Sequence, residues 1–130
     1  MKILIAEDDQ TSRVYLEKAM KNYGSVTGVN DGVEAVDAFV KAHEEKLPYD
    51  LLLLDVMMPK VDGIKALKAV REIEESRGII TEEQVKVLIV TALEKTSYVM
   101  SGLVSDREHY LNKPVTPSNI TNALKELLII

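Results

Sequence analysis

YDLLLLD, residues Tyr49 to Asp55, is the stretch that decides the fold. Apart from Asp50 it is apolar from Tyr49 to Leu54, and it ends on a carboxylate. A half-buried strand alternates apolar and polar residues. A run apolar on both faces suits a central strand of a parallel sheet covered by helices on each side. Similar short runs lie on either side of it. Lys2 to Ala6 is rich in β-branched and aliphatic residues and is followed by Glu7, Asp8 and Asp9. Val85 to Val90 is a fourth strand ending at Thr91, Ser25 to Val29 a short second one, and His109 to Leu111 a short fifth.

Between these runs the apolar residues recur at helical spacing. Leu16, Ala19, Met20 and Tyr23 give a first helix, closed by Gly24. Val33, Val36 and Val40 follow the turn pair Asp31-Gly32. Ala66, Val70 and Ile73 mark a third helix beyond Pro59. Thr96 to Leu103 is a weaker fourth. Thr116 is a good N-cap, with Pro117 at the first helical position of a last helix carrying Ile120, Ala123, Leu124 and Leu127. Strict alternation of five strands and five helices implies an α/β, doubly wound parallel sheet. Right-handed crossovers leave few topologies for five such strands; the common one is the flavodoxin-like order 2-1-3-4-5, with its switch point between strands 1 and 3.

The 130 residues are one domain's worth, 1–130, without repeat, linker or low-complexity tract. There is no cysteine, which excludes disulfides and thiolate chemistry. A net charge of -5 makes direct nucleic-acid binding a poor expectation. No apolar stretch is long enough for a signal-peptide core or a membrane span, so the expectation is a cytoplasmic protein without membrane insertion.

Ligands of such sheets bind at the carboxyl ends of the strands near the switch point. Glu7, Asp8 and Asp9 follow strand 1, Asp55 ends strand 3, Thr91 ends strand 4 and Lys113 follows strand 5. Carboxylates packed together raise one another's pKa, and a hard cation compensates. Oxygen ligands alone suit Mg²⁺. An ammonium and a hydroxyl beside them complete a set suited to phosphoryl transfer. Each residue also has an ordinary role: Asp8 or Asp9 could cap the first helix, Asp55 could end a strand, Thr91 could be a β-former and Lys113 a surface charge. Their coincidence at successive strand ends outweighs those separate readings.

The chain resembles bacterial two-component response-regulator receiver domains. The likeness is carried by Glu7-Asp8-Asp9, by Leu53-Leu54-Asp55-Val56-Met57-Met58-Pro59 with Asp62-Gly63, by Thr91-Ala92 and by Tyr110-Leu111-Asn112-Lys113-Pro114. Thr91 and Lys113 stand 22 positions apart, with an aromatic three before the lysine. The resemblance implies that Asp55 accepts a phosphoryl group from the phosphohistidine of a histidine kinase or histidine phosphotransfer protein. It implies Mg²⁺ held by Asp9, Asp8, Asp55 and the backbone carbonyl of Met57. Lys113 would pair with the phosphoryl oxygen, Thr91 would move to hydrogen-bond it, and Tyr110 would turn inward behind it. The Lys113-Pro114 bond would be cis. The readout would be the surface of helix 4, strand 5 and helix 5, acting on a downstream protein partner.

Met57 and Leu93, two positions after Asp55 and Thr91, would border the water that hydrolyses the phosphoaspartate. Neither can orient water, so slow self-dephosphorylation is expected, with no other enzymatic activity. A phosphorylation-independent interaction module of the same fold is the alternative, and retention of Asp55 and Lys113 argues against it. A metal-dependent phosphatase would need a carboxylate where Met57 stands. The resemblance is to the stand-alone, chemotaxis-regulator-like form, with a receiver cut from a larger multidomain regulator as the other reading. Two departures stand out: a charged connection around Glu74 to Gln84, and Asp106-Arg107 where receivers usually carry Gly-Ala. The second bears on the end of helix 4 and the output surface.

Overall fold

A computed structural model describes all of residues 1–130. The elements run β1 (Lys2–Ala6), α1 (Gln10–Met20), β2 (Ser25–Val29), α2 (Gly32–Glu44), β3 (Leu51–Leu54), α3 (Gly63–Ser76), a 3₁₀ turn (Thr81–Glu83), β4 (Lys86–Thr91), α4 (Ser97–Met100), β5 (Glu108–Asn112) and α5 (Pro117–Glu126). The five strands are all parallel, in the order β2-β1-β3-β4-β5. The parallel sheet is the one expected from the alternation of runs, and its order is the common flavodoxin-like one.

The four leucines of β3 show why the sheet is buried on both sides. Leu52 and Leu54 enter a cluster of 18 buried residues with Phe39 of α2 and Ile64, Leu67 and Val70 of α3. Leu51 and Leu53 enter a second cluster of 12, with Leu16 and Met20 of α1 and Ile120, Ala123 and Leu124 of α5. Each buried leucine contributes about 1.5–3 kcal/mol relative to exposure, so β3 anchors both layers. Its register, Leu4↔Leu52 and Leu52↔Val87, fixes which ends of β1, β3 and β4 lie together.

Helix starts follow from polar caps. Asp9, Asp31, Asp62 and Thr96 each accept an amide of the first turn of α1 to α4. Thr116 and Asn119 form a reciprocal capping box on α5 around Pro117. No helix is long and apolar enough to cross a membrane.

Three local expectations change. Strand β3 begins at Leu51 rather than Tyr49, because the Asp50 carboxylate is spent on the amide of Lys2 at 2.7 Å. The fourth helix is a single turn, Ser97–Met100, instead of Thr96 to Leu103. Glu74 belongs to α3 and not to the connection after it; that connection turns at Gly78, whose φ of +67° glycine adopts without strain. Asp106 and Arg107 lie outside α4, in the turn that leads into β5 at Glu108.

Candidate functional site

The carboxyl ends of β1, β3, β4 and β5 bring the candidate residues to one edge. The amide of Asp55 donates to the Ala6 carbonyl at 3.0 Å and that of Lys113 to the Thr91 carbonyl at 2.8 Å. Backbone bonds therefore hold Asp55 beside the end of β1 and Lys113 beside the end of β4. Asp55 is 7% exposed and Glu7 1% exposed. The Lys113 ammonium lies 3.1 Å from Oε2 of Glu7 and 3.6 Å from Oδ2 of Asp55. The Lys113–Pro114 peptide is cis.

Glu7, Asp8 and Asp55 each offer a carboxylate oxygen within 4.8 Å of the other two. Burial pushes the Glu7 carboxyl up to about 7, the neighbouring Asp55 carboxylate adds to the rise, and Lys113 offsets part of it. A dense, oxygen-only set with one buried member raised this far fits a hard divalent cation, which would relieve the repulsion.

Asp9 does not join this group, and its assignment to the metal is corrected. Its carboxylate accepts the Ser12 amide at 2.9 Å as N-cap of α1. The same hydrogen bonding to Ser12 holds its carboxyl below the usual value. The chain turns from strand to helix between Glu7 and Asp9. Glu7 still donates its amide to the Val29 carbonyl at 3.1 Å and so keeps the strand's direction into the site, whereas Asp9 already serves the helix. Glu7 is the residue the motif reading left out. The cap is made with the backbone amide of Ser12, which any residue at that place would offer, so no side chain in the sequence marked which of the three acids caps α1.

Thr91 is fully buried, and its hydroxyl accepts the Leu93 amide at 3.3 Å. The Tyr110 hydroxyl donates to the Leu93 carbonyl, to which Asn112 Nδ2 also donates at 3.0 Å. Leu93 is half-buried, while Met57 is 60% exposed beside the acceptor, its amide 3.4 Å from Oδ1 of Asp55. Two contacts at this edge had no sequence signal: Asp62, the cap of α3, also accepts the Tyr98 hydroxyl at 2.6 Å, and Lys60 reaches Asp31 at 3.4 Å.

Comparison with known proteins agrees with this fold and gives the family. The family model "Response regulator receiver domain" matches residues 3–125. The response regulator MprA of Mycobacterium avium (strain 104) is 31% identical over 129 residues, covering 98% of this chain and 51% of that protein. The chain thus spans about half the length of the curated relatives it matches. Among solved structures, the receiver domain of the Arabidopsis thaliana histidine kinase CKI1 complexed with Mg²⁺ and BeF₃⁻ superposes with a TM-score of 0.78 at 22% identity, covering 98% of this chain and 89% of that one. The CheX-CheY-BeF₃-Mg²⁺ complex from Borrelia burgdorferi gives 0.78 at 22% identity, covering 100% and 90%. Strand order, acidic edge and family match converge: this chain belongs to the response regulator receiver domains of two-component signalling.

Proposed function

We propose that the chain is a phosphorylation switch that takes a phosphoryl group onto Asp55 from the phosphohistidine of a histidine kinase or histidine phosphotransfer protein. The observation that carries this reading is the placement of Lys113 within 3.6 Å of a buried Asp55 carboxylate, in a pocket with two more acids.

Oδ of Asp55 attacks phosphorus while the P–N bond to the imidazole breaks, the electron pair returning to the ring nitrogen. Lys113 holds a phosphoryl oxygen by charge. Thr91 exchanges its Leu93 partner for that oxygen, and Tyr110 follows the vacated space. Asp8 and Asp55, with Glu7 beside them and the carbonyl of Met57, are the groups that would hold Mg²⁺. Bound there, Mg²⁺ supplies neutralisation of charge on the transferring group. The surface of α4, β5 and α5 then passes the state to a protein partner in the cytoplasm. Beyond self-phosphorylation and slow hydrolysis of the acyl phosphate, this reading includes no catalytic activity.

Incubation with acetyl phosphate and Mg²⁺, read by intact mass, tests it. One phosphoryl group should add, only with Mg²⁺ present, and Asp55→Asn should abolish the gain. Full labelling of Asp55→Asn would overturn the assignment. Lys113→Ala should impair the switch more than metal binding.

A further inference from the structure

The loop after the acceptor is tied to α4, directly beyond the loop after Thr91, by the bond between Asp62 and Tyr98. Asp62 uses both carboxylate oxygens: Oδ1 accepts the amides of Ile64 and Lys65 at 2.9 Å each, and Oδ2 accepts the Tyr98 hydroxyl at 2.6 Å. The next residue, Gly63, donates its amide to the Val56 carbonyl at 3.0 Å. A Cβ at Gly63 would lie 2.1 Å from the carbonyl oxygen of Asp55, so the first turn of α3 rests directly on the acceptor's backbone. Tyr98 lies in α4, immediately beyond the loop whose Leu93 amide engages the Thr91 hydroxyl and whose Leu93 carbonyl holds Tyr110. The Tyr98 ring also lies 5.8 Å from the Lys68 ammonium of α3.

We propose that Tyr98 is a positioning residue for phosphoryl transfer: through Asp62 its hydroxyl latches α4 to the acceptor loop in the resting arrangement, and the latch opens when Thr91 is drawn to a phosphoryl group. The proposal rests on the reading of Asp55 as acceptor and Thr91 as switch. A contact made in only one of two arrangements opposes the other by its own strength. A hydroxyl donating to a carboxylate is charge-assisted. Asp62 also pushes the Tyr98 hydroxyl up to about 12, so it stays a donor across the working pH range. The bond is solvent-exposed, so its net effect is that of an ordinary hydrogen bond, roughly two- to tenfold in the switching equilibrium.

The test is Tyr98→Phe, which removes the hydroxyl and keeps the ring. Affinity for beryllofluoride with Mg²⁺, by calorimetry, and the labelling rate of Asp55 by acetyl phosphate should both rise roughly two- to tenfold, although the melting temperature falls slightly. A merely structural bond gives the lower melting temperature with an unchanged or slower rate, and that result overturns the latch. Asp62→Ser keeps an N-cap but leaves no second polar atom to reach Tyr98. Combined with Tyr98→Phe it should add nothing to the single effect on the rate, whereas multiplying effects would show the two residues acting separately and remove the latch. Absence of labelling in the parent removes the acceptor reading and the latch together. A parent that labels and a Tyr98→Phe variant identical to it remove the latch alone.

Discussion

The ammonium of Lys113 stands closer to Glu7, at 3.1 Å, than to Asp55, at 3.6 Å. The lysine therefore serves first to hold the most buried acid of the edge. Glu7 keeps a carboxyl raised to about 7 in spite of it. Folding raises this group above its usual 4.5, so the folded state binds the proton more tightly than the unfolded one. Its contribution is complete below about pH 4.5 and is lost as pH rises towards 7. In EDTA, chemical denaturation between those limits should show stability falling with pH, and Glu7→Gln should flatten that slope. Asp9 and Asp31, both lowered, act in the opposite sense and only in more acidic solution. A slope unchanged by Glu7→Gln would assign it to another group.

The metal correction separates two neighbouring acids. Asp8→Asn should raise the melting temperature of the metal-free protein and abolish its increase with Mg²⁺ concentration. Asp9→Ala should keep the Mg²⁺ response and lower the melting temperature, because α1 loses its N-cap. Differential scanning fluorimetry across a Mg²⁺ titration reads both. The reverse pattern would return Asp9 to the metal.

Far from this edge, Arg71 of α3 holds two buried acids. Its Nη1 donates to Glu74 at 2.7 Å and to the Val85 carbonyl at 2.8 Å, and its Nη2 donates to Glu108 at 2.6 Å. Glu74 also accepts the Val85 amide at 2.7 Å, and Glu108 those of Val104 and Ser105 at 3.1 and 2.8 Å. Arg71→Ala leaves two buried carboxylates without their cation and should cost about 3–5 kcal/mol in urea unfolding. Arg71→Lys should recover part of this, since an ammonium cannot span both acids as the guanidinium fork does.

The lifetime of the phosphorylated state tests the two side chains beside the acceptor. Met57 and Leu93 can exclude water but cannot orient it. Leu93→Glu and Met57→Asn, singly and together, should speed decay of the phosphoprotein in Mg²⁺ by at most about 10²-fold, the low end for a positioned group. Decay unchanged by either would mean that they do not govern the approach of water.

The fold was legible because its signals are local. Leu51 to Leu54 announced a strand buried on both faces, and Thr116-Pro117 announced a helix start. Asp55, Thr91 and Lys113 could be placed because each sits at or next to a strand end, where position follows from topology. Glu7 and Asp9 were exchanged because three consecutive acids can be shared between a pocket and a cap in more than one way, and spacing alone does not choose. The bonds of Arg71 to Glu108 and of Tyr98 to Asp62 join residues 37 and 36 positions apart. In a chain with 28% charged residues, no local pattern marks such pairs. The single-turn α4 depends on them, so its length was not readable either.

A helix of four residues cannot hold its own shape, since one turn is the unfavourable nucleus rather than the profitable continuation. Its order must be supplied from outside: Val99 is fully buried in the core cluster with Ile64 and Leu67, and three polar ties run from Asp62 to Tyr98, from Lys68 to Ser101 over 3.0 Å, and from Arg71 to Glu108. Amide hydrogen exchange should therefore read residues 97–105 as the first unit to open, well below the global limit set by the β3 leucines. Loosening any one of the three ties should speed exchange across the whole unit, including amides distant from the altered side chain. The surface between Thr91 and β5 would then be a separately melting segment, its protection factors reporting the grip of α3.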